Sequence, residues 1–249
     1  MSSTPAPIAE QAPGLSQVER VVNTFFEPSK TMADIRRSAT WWLPFLLACI
    51  FSYGLIFTWQ QKIGFEKLMD NQIQSNPKTV ERMEKLSPEQ RAQQMKISVA
   101  FMKGICYGYP VTLLLSLVVF SGVLLGIFNF GFGSKTSFGT AMCITAYSFL
   151  PGMISSILAV VTVFLSDPDG YDMRRPVASN LGALVSMTDH PALATLLSTF
   201  DVFTFWIIFL LATGFSVNSN GKVKRGAAFA AIFGVFFVVK LVMTGFAAM

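Results

Sequence analysis

Residues 25–45 read FFEPSKTMADIRRSATWWLPF, and they raise the question that settles the fold: why do two arginines and two tryptophans stand directly before a long apolar run? Residues 41–60 carry no Asp, Glu, Lys or Arg, and they match the roughly 20 residues a helix needs to cross a bilayer. An indole has an apolar body and one donor to keep wet, so Trp41 and Trp42 belong at a membrane interface. Arg36 and Arg37 sit where a helix end meets anionic headgroups, each adding about 1 kcal/mol of surface attraction. Upstream, Leu15, Val18, Val21, Val22, Phe25 and Phe26 share one helical face, and Pro28 ends that helix. Thr31 and Asp34, three positions apart, are spaced to cap a second short helix. The stretch is an elbow over residues 15–40: amphipathic helix, proline break, basic helix and aromatic anchor, then the span.

The rest of the chain agrees with a membrane reading. Of 249 residues, 52% are hydrophobic and only 13% charged, about half the charged share of a soluble domain, and the mean hydropathy is +0.53. Apolar blocks at 41–60, 97–130, 138–165, 193–217 and 227–246 predict an all-α, five-helix bundle over 41–249, preceded by a disordered tail over 1–14. The second block is too long for one upright span, and Pro110 predicts a kink or an extension beyond the membrane. Pro151 predicts a kink in the third, and neighbouring helices must then satisfy the freed carbonyls. Residues 61–96 form a polar helical loop, in which Ser87 and Pro88 read as an N-cap and first turn.

Seven cations in that loop face five acids, which reads as a solvated hairpin and not as a nucleic-acid surface. Orientation rests on the short basic stretches: Arg20, Lys30, Arg36, Arg37, Lys135, Lys222, Lys224 and Arg225 lie on one side and face few acids. On the other side nine cations meet nine acids. The expected arrangement has the N-terminus cytoplasmic and the C-terminus outside.

Chemistry is sparse. Cys49, Cys106 and Cys143 fall in apolar runs and read as buried thiols. His190 has no second histidine to build a metal site with, and reads as a turn or capping residue. Asp167, Asp169 and Asp172 depart from calcium-loop spacing and face Arg174 and Arg175. No cofactor pattern and no catalytic or metal constellation is apparent in the sequence. Three charges near or within spans, Lys103, Asp201 and Lys240, fall towards one side and are expected to pair across helices or to reach headgroups. Gly104 with Gly108, and Gly122 with Gly126, suit close helix packing within the chain or against a second copy. Tyr147, four residues before Pro151, is placed to donate its hydroxyl to a carbonyl freed by the kink.

The elbow, FFEP followed by TMADIRR and a tryptophan–proline entry, resembles the start of the Yip1 family. TAYSFLPGMISSILA (145–159) resembles that family's third span, and FWIIFLLATGFSVNSNGKVKRGAAFA (205–230) its fourth and fifth spans joined by a basic loop. The short N-terminal region is more similar to prokaryotic members, and the aspartate- and glycine-rich motif of eukaryotic ones is not recognisable. The resemblance implies a non-enzymatic five-span protein of the prokaryotic cytoplasmic membrane, an accessory or scaffold for other membrane machinery, with ABC-type export systems among the implied partners. Phe25, Phe26, Pro28 and the elbow cations, with Lys222, Lys224 and Arg225, would form its cytoplasmic docking face towards lipid and partner. The alternative expectation is a transporter or lipid-handling protein with a path along the kinked second and third helices.

Overall fold

A computed structural model of the chain describes residues 14–186 and 189–248, so nearly all of the expected 1–14 tail lies outside the described residues. The elements are α1 (Gln17–Phe26), α2 (Pro28–Asp34), α3 (Trp42–Lys62), α4 (Phe65–Gln74), α5 (Pro77–Glu84), α6 (Pro88–Tyr107), α7 (Tyr109–Gly126), α8 (Phe138–Ser148), α9 (Pro151–Leu165), α10 (Pro191–Leu197), α11 (Val202–Asn218) and α12 (Arg225–Ala248). A π-helical turn, Ile127–Gly131, closes α7, and a short 3-10 turn spans Leu181–Leu184. The fold is all-α among the described residues; the β-type pairing present is an isolated bridge between Asn180 and Asp201.

Local chemistry sets these boundaries. Side chains of Ser16, Asn76, Ser87, Ser137 and Asp201 accept from the first free amides of their helices, which removes the cost of unpaired donors at a helix start. Prolines open α2, α5, α6, α7, α9 and α10, where the missing amide was unpaired anyway. The expected start at Ser87 and Pro88 is present, with a capping box to Gln90. Thr31, by contrast, caps nothing: α2 begins at Pro28, and the Thr31 hydroxyl donates to the Arg20 carbonyl at 3.0 Å.

Among the described residues, four helical stretches are long and apolar enough to cross a membrane: Trp42–Lys62, Tyr109–Gly131, Phe138–Leu165 and Arg225–Val242. The second block is interrupted as expected near Pro110: the helix breaks at Gly108 and a new one starts with Pro110 in its first turn. The fourth block is split at residues 198–201, leaving α11 with 17 residues, about 25 Å at 1.5 Å per residue. That break is pinned by the loop before it: Val202 N–H donates to the Ser179 carbonyl at 3.1 Å and Leu181 N–H to the Phe200 carbonyl at 3.3 Å. The third block is interrupted at Phe149 and Leu150, just before Pro151, as the proline predicts.

Three apolar clusters hold the bundle. At the end that carries α1 and α2, Met32, Ile35, Phe128, Ile144, Tyr147 and Phe215 are buried together, with the Phe128 and Phe215 rings stacked at 4.4 Å. Midway, Cys49, Leu113, Leu117, Met142 and Ala146 fill the space between α3, α7 and α8. At the opposite end, Leu55, Phe65, Leu68, Val99 and Tyr171 join α3, α4, α6 and α9 to the 166–190 loop. The first end is called here the elbow end, the last the hairpin end.

Candidate functional site: an elbow clasped to the bundle

The most connected polar site lies where the N-terminal helices meet the bundle. Its centre is Arg20, whose side chain is 1% exposed. A buried guanidinium is tolerable only with its charge neutralised and its donors engaged. Its Nε donates to Asp34 Oδ2 at 2.6 Å, Nη1 to the Ser38 carbonyl at 2.7 Å and to Thr40 Oγ1 at 2.9 Å, and Nη2 to the Asp34 carbonyl at 3.3 Å. The backbone takes part as well, since the Arg20 carbonyl accepts from both Thr24 and Thr31.

From Arg20 the network reaches the spans. Gln17 Nε2 donates to Thr40 Oγ1 at 2.5 Å, and its Oε1 accepts from the Tyr147 hydroxyl at 2.9 Å. The thiol of Cys143 donates to the Thr40 carbonyl at 3.3 Å. Tyr147 is fully buried. Its expected bond to a carbonyl freed at the kink is therefore corrected: the hydroxyl ties α8 to α1, 130 positions away in sequence. At α2, Asn218 Nδ2 donates to the Met32 carbonyl at 2.9 Å, and Gly214 lets α11 approach so closely that a Cβ there would lie 2.3 Å from Ile144 Cγ2.

The elbow and the basic loop between α11 and α12 form one surface. Arg36 donates to Asn220 Oδ1 at 2.8 Å, and Arg225 donates to Ser29 Oγ at 3.0 Å while standing 5.8 Å over the Phe209 ring. Lys222 donates to the Gly133 carbonyl at 2.5 Å, and Arg37 pairs with Asp34 at 3.2 Å. Lys224 is exposed. Phe25 meets Trp206 edge-on at 5.7 Å, Trp41 meets Phe45 edge-on at 5.7 Å, and Trp42 is exposed at the start of α3.

With Arg20 and Thr24 turned inward, α1 splits its apolar residues: Val21 and Phe25 pack against the core, and a second row faces out. Arg20 and Thr24 are buried, whereas Val18, Val22 and Phe26, at successive turns, are exposed, Phe26 by 81%. Sequence reasoning found the apolar stripe and read it as lying in the headgroup zone or packing beneath the bundle. It missed Gln17, Arg20, Thr40 and Asn218, although Arg20 and Thr24 at i, i+4 on the opposite face were the available signal.

The other candidate residues do not converge. Lys103 stands 5.9 Å from the Phe65 ring, Lys240 stands 5.7 Å from the Phe236 ring, and Asp201 caps α11 while accepting from Ser179. No ion pair among the described residues joins these three, so the expected network is replaced by three separate local solutions. The glycine pairs are not used for close approach within the chain: open space surrounds a Cβ position at Gly104, Gly122 and Gly126. Gly108 is needed for its own helix break, where a Cβ would lie 2.7 Å from the Gly104 carbonyl oxygen. In the 166–175 loop, Asp172 pairs with Arg174 and Arg175, and Asp169 with Lys67 at 2.6 Å. The Asp169 carboxylate, hydrogen-bonded to Lys67, raises that ammonium above its ordinary pKa, while burial raises the Tyr171 phenol.

Compared with known proteins, residues 22–244 match the family model described as the Yip1 domain. No curated protein and no solved structure matches the chain.

Proposed function

Since the chain belongs to the Yip1 domain family, an assignment that covers nearly its whole length, we propose that it is a non-enzymatic scaffold of the prokaryotic cytoplasmic membrane. In this reading it holds a membrane-protein partner, an ABC-type export system being the class the family resemblance points to. The N-terminus is cytoplasmic and the C-terminus lies outside.

One observation carries the reading: the elbow is tied to the bundle through Tyr147 and Asn218 and displays Val18, Val22 and Phe26 away from it. An exposed apolar stripe on a helix locked by a buried ion pair is a pre-ordered surface, and association then costs little ordering entropy. Arg37 and Lys224 leave positive charge exposed on the elbow and on the basic loop. The alternative, a path along the broken helices α6–α7 and α8–α9, finds less support. Cys49, Leu113, Leu117, Met142 and Ala146 fill the space such a path would need, and a hydrophilic substrate would require polar partners there.

The test is site-specific photo-crosslinking in native membranes, with the photoreactive residue at Phe26 and, as a control, at Val238 on α12. A discrete protein adduct at 26 that Val22→Asp abolishes, in a variant retaining wild-type thermal stability, supports the scaffold. Lipid adducts alone at both positions refute it.

A further inference from the structure

We propose that the cleft between α4, α5 and α6 binds a single-chain anionic amphiphile, an acyl tail with a carboxylate or phosphate head, taken from the adjoining leaflet. The cleft encloses about 420 Å³, within the range of roughly 300–1,000 Å³ typical of small-molecule sites. Met69 and Ile73 from α4, Met83 from α5 and Leu86 beyond it supply the apolar part of a lining that is otherwise polar, with Gln72, Asn76 and Thr79 among it. Methionine side chains are unbranched and polarizable, so such a lining adapts to a flexible chain.

Charge selects the head. Arg82 and Arg174 border the cleft, and no Asp or Glu lines it. Arg174 is already aimed by Asp172 and Ser75. The ion pairs of the surrounding region join Lys85 to Glu81, Lys67 to Asp169 and both loop arginines to Asp172, and leave Arg82 outside them. The cleft on the other side of α5, of about 430 Å³, is different: Asp70 and Glu84 line it beside Arg91. An anion is thus favoured on one side of α5 only.

The route for the tail is written on α6. Gln94 and Ser98 line the cleft, and Phe101 and Ile105 follow at three and seven positions beyond Ser98, on the same helical face. Both are exposed, Phe101 by 70%. Past the break at Gly108, the outward residues Val111, Leu115 and Val119 continue the apolar surface along the span of α7. Exposed apolar side chains therefore run from the cleft along α6 and recur on the apolar helix α7. The site lies at the hairpin end, away from the elbow, and does not depend on which partner the elbow holds.

The experiment uses the full chain in nanodiscs of zwitterionic lipid and a palmitate analogue carrying a photoreactive group near its methyl end. Labelled peptides are expected within residues 69–105, and Arg82→Gln, at an exposed side chain outside the ion pairs of the described residues, should lower that labelling about tenfold, the loss of one charge-assisted contact. Labelling of α12 in the same sample is expected to stay constant, and unchanged thermal stability of the variant shows that its fold is retained. Palmitate should compete with the probe, whereas inorganic phosphate at the same concentration should not. Displacement by phosphate alone would make this a free-anion site and overturn the proposal. So would labelling spread evenly over the spans and indifferent to Arg82→Gln.

Discussion

At the scale of single residues, the molecule's largest electrostatic commitment is Arg20. Its charge is buried beside an Asp34 carboxylate that is itself only 12% exposed. Removing one partner of such a pair strands the other, at a cost of about 3–5 kcal/mol, whereas replacing both with apolar residues can be nearly neutral. Arg20→Ala is therefore expected to destabilise the protein by that amount. Arg20→Met combined with Asp34→Leu should recover most of the loss, as measured by thermal unfolding in detergent. Strictly additive effects would show that the two side chains act independently. Tyr147→Phe removes a single neutral hydrogen bond to Gln17, and the expected cost is about 1 kcal/mol. The aromatic anchors and the basic side chains were legible as residue types. Arg20 was not, because its partners lie 14 to 20 positions downstream and nothing local distinguishes it from a surface arginine.

At the scale of elements, α1 starts with a complete capping box, in which Ser16 accepts from Glu19 N–H and Glu19 accepts from Ser16 N–H at 2.7 Å. These bonds hold the Glu19 carboxyl below its ordinary pKa. A carboxylate depressed on folding contributes stability that is complete above its unfolded pKa and fades as pH falls through the folded value. The protection factor of the Ser16 amide, the ratio of intrinsic to observed exchange at each pH, should therefore fall on acidification through that range, and Glu19→Gln should flatten the dependence. Gly214→Ala tests a second element contact: its methyl would meet Ile144 and Met32, so a loss of about 1–3 kcal/mol is expected from overpacking. Prolines 110 and 151 announced their breaks because a missing donor acts locally. Where the second helix actually parts, at Gly108, and how the fourth splits near Asp201 depend on a glycine's close approach and on a loop from elsewhere in the chain.

At the scale of the whole molecule, the elbow and the basic α11–α12 loop occupy one end, while the α4–α6 hairpin and the 166–177 segment occupy the other. If the N-terminus is cytoplasmic, single cysteines introduced at Asn220 and at Lys85 should be labelled by an impermeant maleimide from opposite sides. The Lys85→Cys protein should react in intact spheroplasts, and the Asn220→Cys protein only after permeabilisation. The native thiols are all buried, so background is expected to be slow. Labelling of both positions from one side would contradict the two-ended arrangement, and the reverse pattern would invert the proposed orientation.

What the sequence determined by itself follows from signals that act within a few residues: the apolar blocks, the prolines that interrupt them, the tryptophans and arginines at the first entry, and the helix caps. These set an all-α membrane protein of the Yip1 kind. The tertiary structure decided which polar groups meet. It turned Gln17 and Arg20 of α1 inward towards Tyr147 and left Val18, Val22 and Phe26 outward, gave Lys103, Asp201 and Lys240 separate partners, and left Gly104, Gly122 and Gly126 open. The physical reason is one of range. Helix formation and membrane insertion respond to neighbours in sequence, whereas a buried hydrogen bond is worth making only where packing has already excluded water, and that place exists only once the helices are together.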